Sequence, residues 1–88
     1  MSYWITDMGE KSALNFKSVS SGTSLPLPIR ADDAKHLIAA AFQAPDDNPR
    51  AEFQGVLADK MVHGVRVRVV GQQSHFDIPW SAIAQGQV

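Results

Sequence analysis

Apolar and polar residues alternate most regularly between Gly64 and Trp80, GVRVRVVGQQSHFDIPW, where two runs of period two flank Gly71-Gln72-Gln73-Ser74. Val65, Val67 and Val69 share one face of the first run, and Phe76, Ile78 and Trp80 share one face of the second. A half-buried strand needs this period, because successive side chains point to opposite sides of the sheet. The pattern predicts a hairpin. With 71–74 as its loop, Val69 falls opposite Phe76, Arg68 opposite Asp77, Val67 opposite Ile78 and Val65 opposite Trp80, so one face is apolar and the other carries an ion pair. A slip of a single residue would set an arginine against Phe76 or Ile78, so the alternation selects against it. Gln-Gln is a poor two-residue hairpin turn, which favours the longer loop starting at Gly71.

The same reading applied upstream gives a short strand at Tyr3 to Thr6, a turn at Asp7 to Glu10, and a second strand at Ala13 to Val19 with Leu14 and Phe16 on one face. After a loop at Ser20 to Thr23, Leu25, Leu27 and Ile29 alternate with Pro26 and Pro28. Proline cannot donate to a ladder, so this segment is expected at a sheet edge, or as an extended lead into a helix. The period then changes to that of a helix over 32–44, with Asp32 as N-cap and Ala34, Leu37, Ile38, Ala41 and Phe42 as the buried stripe. A second helix is expected over 49–62, with Pro49 in its first turn, Phe53, Val56, Leu57 and Met61 as its stripe, and Gly64 as its stop. Gly55 opposes it, and the alternation of Phe53, Gly55, Leu57, Asp59 and Met61 offers a strand instead; that alternative makes 52–80 a β-meander and moves the fold toward a small barrel. Ser81 can cap a brief helical turn through Ala84.

These elements compose an α+β fold: a small two-layer domain, an antiparallel sheet with two helices packed on one face, in the order β-β-β-α-α-β-β. The single domain spans 1–84, and 85–88 form a flexible C-terminal tail. The 88 residues are 44% hydrophobic and 19% charged, ordinary values for a globular chain. They include no cysteine, which excludes disulfides, thiol nucleophiles and thiolate metal sites. Met1 to Ser12 shows neither a basic nor an apolar leader region, and no apolar run is long enough to span a bilayer, so a cytoplasmic protein without a membrane partner is expected.

The chemistry-bearing residues form no catalytic constellation. No serine lies in a nucleophile elbow, and no glycine-rich phosphate loop follows a strand. The pair His75-x-Asp77 would share one strand face, yet no third ligand or nucleophile accompanies it, so no catalytic residue, metal or cofactor is assigned. The formal charge is −1, but residues 60–88 carry three cations against one carboxylate. Lys60, Arg66 and Arg68 make the best basic cluster, suited to phosphate or to an acidic protein surface. Trp4 is the second candidate, because it lies opposite Tyr3 and Ile5 in its strand and must face outward unless another layer or subunit covers it. The expectation is a non-enzymatic protein-interaction or regulatory protein that meets another protein and itself, as a homodimer. The alternative is a nucleic-acid-binding module that uses the basic hairpin face, although such modules usually show a stronger basic footprint.

Overall fold

A computed structural model describes residues 3–17 and 22–84. Strands β1 (Tyr3–Met8), β2 (Lys11–Lys17) and β3 (Gly22–Leu27) form one antiparallel sheet; helix α1 (Ala31–Phe42) follows. Strands β4 (Arg50–Phe53), β5 (Val56–Lys60), β6 (Gly64–Val69) and β7 (His75–Pro79) form a second antiparallel sheet, and the short α2 (Trp80–Ala84) ends the described chain. The class is α+β, but the architecture is two sheets and one long helix around a shared core. No helix among the described residues is long and apolar enough to cross a membrane. The expected tail at 85–88 lies outside the described residues, as do Ser18 and Val19 of the anticipated strand and Ser20 and Ser21 of the loop anticipated at 20–23; Gly22 and Thr23 belong to β3.

Local chemistry explains the first sheet. Gly9 takes a positive φ of 82°, and its N–H donates to Asp7 Oδ1 at 3.0 Å, closing the tight turn between β1 and β2. Tyr3 and Ile5 lie opposite Phe16 and Leu14, and Leu14 lies opposite Leu25, so one face of all three strands is apolar. Among the described residues β3 pairs only with β2 and stands at the sheet edge, where Pro26 has no second strand to which it owes an N–H.

Helix α1 begins one residue earlier than the sequence suggests. Arg30 is its N-cap and makes no side-chain capping bond, so Asp32 is not the cap; Asp32 and Asp33 sit in the first turn, where carboxylates oppose the positive end of the helix dipole. Ala34, Leu37, Ile38 and Ala41 are buried as expected. Phe42 is not, and its ring meets the Trp80 indole at a centroid distance of 5.7 Å.

The helix expected over 49–62 is a hairpin, β4 and β5. Gln54 and Gly55 both take positive φ, 50° and 86°, the signature of a two-residue type I′ turn that brings Phe53 opposite Val56. Val56 and Ala58 then lie opposite Val69 and Val67, so a ladder to β6 replaces helical hydrogen bonds. The strand alternative is the correct one, extended to a four-stranded meander over 50–79. Gly64 stops no helix. It sits within β6 opposite Pro79, so close that a Cβ there would collide with the Ile78 carbonyl.

The hairpin of β6 and β7 forms with its apolar and polar faces as anticipated but two residues out of the expected register. Val67 pairs with Phe76, Val65 with Ile78, Arg66 with Asp77 and Arg68 with His75. A shift of two preserves which side chains face inward, so the alternation alone does not detect it. Hydrogen bonds at the distal end select it: the Val70 N–H donates to the Gly55 carbonyl at 2.8 Å, Gln72 N–H to Val69 at 3.0 Å, and Gly71 turns with φ of 87°. Trp80 consequently leaves the strand, begins α2 and does not pair with Val65. It packs partly buried against the core and donates its indole N–H to the Val62 carbonyl at 2.8 Å.

One buried cluster joins Leu14 and Leu27, Leu37 and Ile38, and Val65, Val67 and Ile78, drawing on both sheets and α1. Phe16 and Phe76 meet edge to face at 5.6 Å and tie β2 to β7. Two buried hydroxyls, that of Tyr3 in this cluster and that of Ser12, lack a partner among the described residues. Burial pushes the Tyr3 phenol up to about 12, because its ionised form would be desolvated.

Two outcomes follow from these contacts. Gly64→Ala should lower stability by about 1 to 3 kcal/mol, since backbone must move to admit the methyl group; urea denaturation measures it. Tyr3 holds its proton more tightly folded than unfolded, so its stabilising contribution is complete below the ordinary tyrosine value and declines as pH rises toward about 12. Tyr3→Phe should remove that alkaline loss while leaving stability at neutral pH equal or higher, read from urea midpoints in neutral and strongly alkaline buffer.

Candidate functional site

The outer face of the second sheet is ordered by strand register. Arg50, Asp59, Arg66 and Asp77 lie opposite one another across β4 to β7, a transverse row of alternating sign. The adjacent row is Glu52, Leu57, Arg68 and His75. Each of these residues is one step out of phase with the buried valines, and period two therefore turns it away from the core. Leu57 is only 7% exposed yet belongs to no part of the core cluster. It is flanked in register by Glu52 and Arg68.

The two carboxylates of the row are engaged differently. Asp77 receives both Nε of Arg66 at 2.8 Å and Nη2 at 3.3 Å, one guanidinium gripping one carboxylate. His63 Nε2 and His75 Nε2 stand 3.5 and 4.0 Å from its Oδ2. The Arg66 hydrogen bond, reinforced by the charges of Arg66, His75 and His63, holds the Asp77 carboxyl below its usual range against the opposing effect of burial; the same bond raises Arg66. Asp59, with its side chain 15% exposed, is shared: Oδ1 accepts Nε of Arg50 and Oδ2 accepts Nε of Arg68 at 3.4 Å. The Nη groups of Arg50 and Arg68 have no hydrogen-bond partner among the described residues.

Along this row lies a shallow concavity of about 580 Å³, whose lining includes Arg50, Asp59, Arg66, Arg68, Gln72 and His75. Arginine forks and amide side chains there present donors suited to an oxyanion. Among the described residues no group of three His, Asp or Glu side chains is placed to hold a metal ion. The His75-x-Asp77 pair is drawn into the Arg66 ion pair.

Arg66 and Arg68 face outward together, as the sequence suggests. Their partners do not follow the expected register: Asp77 belongs to Arg66, and Arg68 turns to Asp59. Lys60 has the inward phase of Val56 and Ala58; its ammonium donates to the Ala44 carbonyl at 2.9 Å and lies 3.7 Å from Asp46. It thus ties β5 to the segment after α1, besides contributing to the rim of the concavity. Trp4 is elsewhere, on the outer face of the first sheet, 44% exposed, and Met8 on the same face is 62% exposed. Between them Thr6 Oγ1 accepts a hydrogen bond from Asn15 Nδ2 at 2.9 Å. Arg50 and Asp59 are the residues that sequence reasoning missed. The signal for them was Gln54-Gly55, which as a hairpin turn sets Arg50 opposite Asp59.

No protein-family model, curated protein or solved structure matches this chain.

Replacing Asp59 by Ala leaves two part-exposed guanidiniums with no shared carboxylate, and should cost about 0.5 to 1 kcal/mol in urea denaturation, more in low salt than in high. Because the Asp77 carboxyl is depressed in the fold, its contribution is present above the ordinary carboxylate range of about 4 and disappears as pH falls through the lower folded value. Asp77→Asn should therefore flatten the acid limb of stability, measured by thermal melts from neutral pH downward.

Proposed function

We propose that this chain is a non-enzymatic protein-interaction protein that self-associates along β1 and leaves the charged face of its second sheet for another partner. One observation carries the reading: Trp4 and Met8 are exposed on the outer face of a strand whose second edge is unpaired among the described residues. The other sheet edges are blunted. β3 contains Pro26, β4 is four residues long, and β7 ends in Pro79 and carries Asp77. β1 has six residues without proline, and its carboxylate, Asp7, is engaged in the turn at Gly9.

The strand is also complementary to itself. Antiparallel pairing of two copies about Thr6 sets Trp4 of one copy opposite Met8 of the other, twice, and joins the three-stranded sheets into one of six strands. Sulfur against indole is a favourable contact, and the backbone bonds supply the rest.

A nucleic-acid module is the second reading, favoured by Arg50, Arg66 and Arg68 on one face. The interleaved Asp59 and Asp77 weigh against it, because they neutralise the charge that a polyphosphate backbone requires. Sedimentation over a concentration series tests the first reading: a dimer is expected, and Trp4→Ser should shift it to monomer. A strict monomer, together with binding to labelled RNA or DNA that weakens steeply with salt, would establish the second reading in its place.

A further inference from the structure

The geometry points to a seat for a phosphate group between Arg50 and Arg68, held open by the carboxylate of Asp59. Asp59 contacts each guanidinium through Nε alone, at Oδ1 for Arg50 and at Oδ2 for Arg68. One carboxylate thereby fixes two arginines side by side while leaving the Nη donors of both uncommitted among the described residues. Guanidinium Nη groups bind phosphate oxygens in a forked manner, and prior fixing of the side chains reduces the entropy lost when they do so. The pair carries two positive charges against one negative, a local surplus that favours an anion. Gln72 and Gln73 add neutral donors on the lining of the same concavity.

Arg66 provides the internal contrast. It lines the same concavity, but its Nε and Nη2 both donate to Asp77. A diffuse basic patch would use all three arginines alike, whereas this seat uses two. The concavity, about 580 Å³, is larger than a phosphate ion and open, so it can take the group either free or carried on a side chain of another protein. The seat does not rest on self-association through β1.

The test is a titration of the ¹⁵N-labelled protein with inorganic phosphate in low-salt buffer, following the arginine Nε–Hε signals, with a phosphoserine peptide as the second probe. Saturable shifts at Arg50 and Arg68 are expected. Arg50→Gln and Arg68→Gln should each weaken binding about tenfold, the loss of one charge-assisted bond, while Arg66→Gln should change it less than about twofold. Equal weakening by all three variants, or shifts that never saturate, would overturn the seat. Tighter binding of the peptide than of phosphate identifies a protein-borne group, equal binding a free one, and both outcomes support the seat. Repeating the titration on Trp4→Ser separates failure of self-association from failure of anion binding, and retained dispersion of the remaining amide signals shows that each variant is folded.

Discussion

Everything in the second sheet depends on β6, whose valines must be dry on one face while its arginines stay wet on the other. β6 is an interior strand, bonded to β5 on one side and β7 on the other, and Val65, Val67 and Val69 enter the same cluster as the α1 stripe. Burying those three side chains contributes roughly 1.5 to 3 kcal/mol each before the cost of ordering the chain. That gain exists only if Arg66 and Arg68 point outward, because an unpaired buried guanidinium would cost more than a valine returns. The outer charged rows are thus the obligatory reverse of the core, and Asp59 and Asp77 are opposite Arg66 because the ladder places them there.

This coupling explains what was legible in the sequence. Faces were readable: every inward residue of β6 and β7, the apolar stripe of α1 apart from Phe42, and the outward Trp4 follow from periodicity. Register was not. Moving the β6–β7 pairing by two residues leaves all faces unchanged; the choice goes with the Gln72 bond back to Val69 and with the Val70 bond to Gly55, in the β4–β5 turn of a segment whose spacing predicts a helix. One misjudged element therefore displaced the partner of Asp77 in another.

The misjudged segment shows why. Phe53, Val56, Leu57 and Met61 fit a helical stripe, and Pro49 fits a helix start, so local spacing was consistent with itself. It failed against two residues. Gln54 and Gly55 satisfy an I′ turn, and Leu57, which a helix would have sent to the core, is buried on the opposite side of the sheet, between Glu52 and Arg68 in register. Burial on a sheet face whose register neighbours, Glu52 and Arg68, are charged leaves no periodic trace. Arg50 and Asp59 were invisible as a pair for the same reason: nine positions apart, they have no relation on a helix and face each other in a hairpin.

The two carboxylates of the transverse row show how equal charges in one lattice acquire different uses. Asp77 meets one guanidinium through two donors, and the arrangement is closed: its oxygens and the Arg66 fork satisfy each other, with two imidazoles at the margin. Asp59 divides itself between two guanidiniums through one donor each, and the arrangement stays open on the arginine side. The difference arises from strand position. Asp77 lies on the edge strand β7 with one cross-strand neighbour, whereas Asp59 lies on β5, an interior strand, with Arg50 on one side and Arg66 and Arg68 on the other. An interior carboxylate in such a row is surrounded by more cations than it can engage bidentately, and the donors left over are fixed in place by the sheet that created them.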